Sequence, residues 1–286
     1  MKSRIVVASV SSAVVVRENC LNLPTPRSLT AADFSIDPIR AETLTYNGET
    51  FVAERIEIRS LKASYMQWSN TPRSIPTPVY YFADGIGYTT GELNSIKSEG
   101  HTLICMITAG VYKSNDPDAS DFNAGDIGNQ SGSTNEYWLD TRSANVRAIM
   151  ERRLDLAKTK GCDGVLWDQT DGYLSTSGFP LTSSTAIDYA RFLALAAHDR
   201  KMIVSLANTG LLAADLVDYF DLASADGCYT SGSCGRYEPF AAKKKPVAVS
   251  ESSAFSSSLC DQARTNSYTL WFGPANRDGS RYEPCP

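Results

Sequence analysis

Beyond about residue 60 the sequence alternates short apolar runs with amphipathic stretches, and this alternation restricts the fold more than any other feature. Eight runs read as candidate strands: 63–68, 79–83, 102–108, 164–167, 202–206, 219–223, 246–250 and 268–272. Most are apolar nearly throughout, as parallel strands covered on both faces are. Helical patterns lie between several of them, at 89–98, 143–160, 183–200 and 211–218. In the second, Val146, Ile149, Met150, Leu154 and Ala157 trace one face of a helix. Eight buried strands with intervening helices predict an α/β fold, a (β/α)8 TIM barrel, over residues 61–286. An open doubly wound sheet is the alternative, but the glycine-rich phosphate loop that would support it is missing.

Residues 1–60 read as a separate β-rich module for attachment or oligomerisation, or else as a strand extension covering the barrel. Asn47-Gly48 between Thr43–Tyr46 and the alternating run 50–58 predicts a hairpin with a type I′ turn. Residues 5–16 add one or two strands. The opening Met1-Lys2-Ser3-Arg4 with an apolar run and Ser11-Ser12-Ala13 imitates an export signal. The apolar run is short and broken by serines, so it is read as strand and not as a cleaved signal.

One strand ends in acids. Gly164-Val165-Leu166-Trp167 runs directly into Asp168, with Asp171-Gly172-Tyr173 just beyond. In a (β/α)8 barrel the C-terminal strand ends carry the chemistry. Carboxylates beside aromatic rings fit a site that cleaves sugars. The bland reading is a buried strand whose Asp caps the next loop.

Composition narrows the partners. A formal net charge of -5 gives no basic footprint for nucleic acid. No apolar stretch approaches the ~20 residues that span a bilayer. Seven cysteines exceed what a reducing cytosol favours. Cys228 and Cys234 are placed for a local loop disulfide, Cys105 and Cys162 sit on or beside candidate strands, and the odd count leaves at least one thiol over. With two histidines and no zinc-ligand spacing, neither a metal nor another cofactor is expected. His198, near a helix end, reads as a satisfied cation.

A longer string of motifs resembles glycoside hydrolase family 114. It comprises 103–112, Asp116-Pro117-Asp118-Ala119, Glu136-Tyr137-Trp138-Leu139-Asp140, 153–157, 161–165, Asp168 with Asp171-Gly172-Tyr173, and 178–182. The match runs in order from about Tyr65 to Cys285. It implies a TIM barrel of the endo-α-1,4-polygalactosaminidase kind acting on an amino-sugar polysaccharide. The family's strand-four motif is Glu-Pro-Asp-Asn-x-Asp-Gly-Tyr. This chain keeps Asp168 and Asp171 but carries Leu166, Trp167 and Gln169 in place of Glu, Pro and Asn. Asp226 replaces a family Glu at the end of strand six. An early Asp-x-Asp pair becomes Val79-Tyr80-Tyr81, while Asp84 matches an acid slightly further on. A Lys-Asn pair becomes Ala207-Asn208, and Glu251 matches a family Glu.

Glycoside hydrolysis needs two carboxyls flanking the bond, one charged and one protonated. The expected pair is Asp168 as nucleophile and Asp226 as acid/base. Carboxyls ~5–5.5 Å apart would retain anomeric configuration and ~6.5–9.5 Å would invert it. Asp171, Glu251, Asp84 and Asn208 are expected to bind or orient sugar, with Trp167, Tyr173, Tyr81 and Tyr112 as candidate platforms. Trp138 is expected to be core. The alternative is a decayed barrel that binds carbohydrate as a surface or virion component. A lyase or deacetylase is a third reading, disfavoured by the shortage of histidine. The expected setting is extracellular, cell-surface or virion-associated.

Overall fold

The computed structural model describes residues 36–58, 64–67, 74–75 and 79–286. The expected strands within 5–16, the export-signal question and Cys20 lie outside the described residues.

The first described elements form an antiparallel hairpin, β1 (Ile36–Tyr46) and β2 (Glu49–Ile58). Its turn is Asn47 and Gly48, with φ of 50° and 77°. Two consecutive positive φ angles are what a type I′ turn requires and what Asn-Gly supplies. Then come β3 (Ser64–Gln67), β4 (Tyr80–Asp84), α1 (Thr90–Ser98), β5 (Thr102–Thr108), and three short strands, β6 (Val111–Lys113), β7 (Ile127–Gln130) and β8 (Glu136–Leu139). The rest alternates: α2 (Ala144–Thr159), β9 (Gly164–Asp168), α3 (Ser183–Asp199), β10 (Ile203–Ala207), α4 (Ala213–Leu216), β11 (Leu222–Asp226), α5 (Glu238–Ala242), β12 (Val247–Glu251), α6 (Ser257–Asn266), β13 (Thr269–Phe272) and β14 (Glu283–Pro284).

One nine-stranded sheet carries the fold, in the order β14-β13-β12-β11-β10-β9-β5-β4-β3. All its neighbours pair in parallel except β14, which runs antiparallel to β13. The sheet curls. Ser64 Oγ on β3 lies 3.5 Å from Thr269 Oγ1 on β13, and the Tyr65 ring lies 5.3 Å from Trp271. Tyr81 and Tyr282 pack edge-on against Tyr65 at 5.1 and 4.9 Å, filling the space between the two strand edges with aromatic carbon.

The helices begin where side-chain caps satisfy their first N–H groups. Thr89 and Glu92 form a capping box on α1, Ser143 caps α2, Thr182 and Thr185 cap α3, and Ser256 caps α6. The hairpin tip is fastened to this body. Tyr219 Oη donates to the Thr45 carbonyl at 2.7 Å, and Arg147 Nη1 donates to Tyr46 Oη at 2.6 Å. Arg147 also holds Asp188 on α3. Leu44 joins the main core.

Three differences from the sequence reading have physical reasons. The run expected at 219–223 becomes a strand three residues later, because buried Asp221 is drawn into a pair with His198 at 3.0 Å. The sheet β6–β8 was not expected: strands of three or four residues show no period, and they exist only through mutual pairing, such as Val111 with Trp138. The polar α6 hides only Cys260 and Ala263, too little for a sequence pattern.

Disulfides join Cys105 to Cys162, Cys228 to Cys234 and Cys260 to Cys285. Among the described residues no helix is long and apolar enough to cross a membrane.

Arg153 on α2 is 2% exposed. It forks onto Asp118 with two bonds of 2.7 Å, reaches Asp116 at 2.9 Å and donates to the Thr108 carbonyl at 2.8 Å. This ties the segment after β5 to the helix behind it. Removing one partner of a buried ion cluster strands the others. Arg153→Met is therefore expected to cost about 3–5 kcal/mol in guanidinium unfolding, and an unchanged midpoint would show that the cluster is dispensable.

Candidate active site

Parallel strands in a curled sheet deliver their last residues to one rim. Three consecutive strands leave this rim through a left-handed residue: Gln169 after β9, Asn208 after β10 and Gly227 after β11, with φ of 55°, 50° and 64°. Each turn takes the chain abruptly out of the strand line and leaves the last side chains at the mouth. Gly110 makes the first turn possible, since a Cβ there would lie 1.9 Å from the Gln169 carbonyl.

Asp226 ends β11 in register with Ser250 of β12. Asn208 grips it reciprocally: its Nδ2 donates to the carboxylate at 3.0 Å, and its Oδ1 accepts from the Asp226 N–H at 2.8 Å. Ser250 Oγ donates to the other carboxylate oxygen. Arg277 Nη2, from the segment between β13 and β14, completes the shell at 2.7 Å.

Asp168 ends β9 opposite Thr108 of β5. Its carboxyl is pushed up to about 6, chiefly by burial; the Asp226 charge adds to the rise, while the Gln169 backbone N–H, Lys113 and Arg277 oppose it. Lys113 of β6 lies 3.3 Å from Glu136 of β8, and Gln169 Nε2 donates to the same carboxylate at 3.3 Å. The short sheet thus supplies part of the electrostatic surround of Asp168. One carboxyl that holds its proton into the neutral range and one enclosed by donors can serve as acid and anion in one reaction.

Other expected residues fall elsewhere. Trp167 is 2% exposed and Tyr81 is 0% exposed, so neither offers a face to a sugar. Both belong to strands covered on both sides, and this corrects their reading as platforms. Glu251, 2% exposed, is also corrected. Its oxygens accept from the Tyr229 N–H at 2.8 Å, the Thr230 N–H at 3.3 Å and Thr230 Oγ1 at 2.6 Å, so it holds the disulfide-closed loop after β11 rather than a ligand. Asp84 accepts from the Ile86 and Gly87 N–H groups at 2.9 Å each, shaping the turn into α1. Asp171 is exposed; Tyr173 and Tyr112 are half-buried, and Tyr112 packs edge-on to Phe122. Trp138 is buried beneath Gly172, whose Cβ would meet its ring at 2.9 Å. Among the described residues no His, Cys, Asp and Glu side chains gather as metal ligands.

Sequence reasoning missed Arg277, Ser250, Lys113 and Glu136 as members of the site. Ser250 was readable in principle, as the residue before Glu251 at a strand end. Arg277 sits in Pro274-Ala275-Asn276-Arg277-Asp278-Gly279, which carries no motif. Its only signal was the need of a rim carboxylate for a counter-charge.

The profile of glycoside-hydrolase family GH114 matches residues 69–282. The crystal structure of Aspergillus fumigatus Ega3 in complex with galactosamine superposes with a TM-score of 0.71 at 28% identity, over 78% of this chain and 94% of that one. The glycoside hydrolase domain of PelA from Pseudomonas aeruginosa gives 0.59 at 12% identity, over 77% and 97%, a likeness of fold. No curated protein matches the chain significantly by sequence.

The raised Asp168 has a consequence for stability. Its folded value of about 6 exceeds the ordinary 3.8, so native protein binds the proton more tightly than unfolded chain does. The cost of burying the charge is absent below about pH 4, grows through that interval and is complete above about 6. Asp168→Asn is expected to stabilise the protein at pH 8 by up to about 3 kcal/mol and to change it little at pH 4. Denaturant titrations at the two pH values check this, and equal effects at both would contradict it.

Proposed function

The chain belongs to glycoside-hydrolase family GH114, and on that footing we propose that it hydrolyses an α-linked, galactosamine-containing polysaccharide with Asp168 and Asp226. The observation that carries the reading is the unequal pair of carboxyls at one rim. The 28% identity to a structure holding galactosamine supports the sugar class. Asp168, with its raised affinity for a proton, donates to the glycosidic oxygen as the C1–O bond breaks. Asp226, enclosed by Arg277, Asn208 and Ser250, carries the negative charge that faces the electron-poor anomeric carbon. These roles reverse the order expected from sequence, because burial acts on Asp168 and hydrogen-bond donors act on Asp226. Asp171, Tyr173 and Tyr112, at or beside the rim, are proposed to meet the sugar.

The curled sheet and its helices support a complete (β/α)8 barrel over residues 61–286. The fastened hairpin tip favours residues 1–60 as a cover on that barrel over a free attachment arm. Three disulfides fit an oxidising, extracellular setting. The binding-only alternative draws no support from the comparisons.

Asp168→Asn and Asp226→Asn are each expected to lower reducing-end release from partly N-acetylated polygalactosamine by about 100-fold or more. If either variant keeps wild-type rates, that residue is not part of the reaction. Release by the wild type from neutral polymers alone would overturn the sugar class.

A further inference from the structure

Segment 273–282 bridges the last parallel strand and β14, and it is built rather than loose. Arg281 Nη2 donates to the carbonyls of Ser253 at 2.8 Å, Gly273 at 2.9 Å and Ser252 at 3.4 Å. The Arg277 N–H closes a turn on the Pro274 carbonyl at 3.0 Å, and Asp278 binds Asn276 Nδ2 at 3.1 Å and the Ser280 N–H at 2.8 Å. Cys285 anchors the far end to Cys260 of α6. At the centre Arg277 adopts a φ of 48°. A non-glycine residue in the left-handed region is held there at a cost, and such positions concentrate at functional sites. The side chain so presented reaches across the rim to Asp226 at 2.7 Å, with about 20% of its surface exposed.

We propose that Arg277 is a positioning residue: it clamps the Asp226 carboxylate at the rim from the segment after the last parallel strand. This rests on the hydrolase reading for its consequence in catalysis, but the clamp itself is a property of the folded chain. Asp226 is one methylene shorter than the Glu of the family pattern, so it has less reach of its own. Asn208 and Ser250 fix it from the neighbouring strands, but both are neutral. Among the described groups that hold Asp226, Arg277 brings the positive charge, through an ion pair. Other charged or titratable groups that act on the two carboxyls include Lys113 and Tyr237. Lys113 is already engaged with Glu136, so it does not replace the arginine.

The test is a carboxyl carbon-13 titration of Asp226 in the full chain, run beside steady-state kinetics on partly N-acetylated polygalactosamine. In Arg277→Met the Asp226 midpoint is expected to rise by about 1 pH unit or more. The acid limb of the rate profile should move up with it, and kcat should fall about 10- to 100-fold with little change in KM. Arg277→Lys should restore the titration but only part of kcat, since a point charge replaces a planar fork. A folded Arg277→Met protein with an unmoved Asp226 midpoint would overturn the clamp, even if sugar release persists. A shifted midpoint in a protein whose wild type releases nothing would sustain the clamp and remove the hydrolase reading. If Arg277→Met does not fold, Arg277→Lys decides: it must keep the wild-type Asp226 midpoint, and a shifted midpoint overturns the proposal.

Discussion

Strands that are apolar on both faces must be covered on both, and here the sheet curls around its own interior while helices cover the outside. That requirement organises the molecule. It removes nearly every strand side chain from water, so that chemistry is left to the strand ends and to the loops beyond them. Tyr81 and Trp167 illustrate the first half of the rule, and Asp168 and Asp226 the second. The loops at the rim are then fixed one by one. Buried Arg153 holds the segment after β5, Glu251 holds the loop closed by Cys228 and Cys234, and Arg281 holds the segment that carries Arg277.

Charge at the rim follows from the same architecture. Asp168 comes from a strand near the middle of the sheet and meets mostly protein, so burial raises its affinity for a proton. Asp226 lies two strands away, where a neighbouring amide, a hydroxyl and a guanidinium converge. Two identical side chains thereby stand in different surroundings. This is what a two-carboxylate hydrolysis demands, because one group must give a proton while the other is charged.

Much of this was legible in the sequence, and for identifiable reasons. A parallel strand buried on both faces leaves a short apolar run, and all eight runs became strands of the main sheet, some with shifted boundaries. Helices α1, α2 and α3 announced themselves as helical patterns between the apolar runs. Asp168 stood out because an acid at the end of such a run breaks its pattern, whereas Asp226 was marked only by the family resemblance. What escaped depends on contacts distant in sequence. Arg277 lies about fifty residues from Asp226 in a loop without period, and Lys113 and Glu136 reach the rim only through pairing of β6 with β8. Glu251 and Trp167 misled in the opposite direction. A strand-end position marks a residue as near the rim but does not say whether its side chain opens outward or packs inward.

On the proposed reading, two carboxyls in unequal surroundings cleave an amino-sugar polymer. The pH dependence of kcat/KM for the wild-type protein tests it most directly, because that profile reports the free enzyme's acid and base. The expected result is a bell whose descending limb falls near pH 6, where Asp168 loses its proton. A rate that holds level from pH 5 to 8, or no turnover of galactosamine-containing polymer at any pH, would contradict the account.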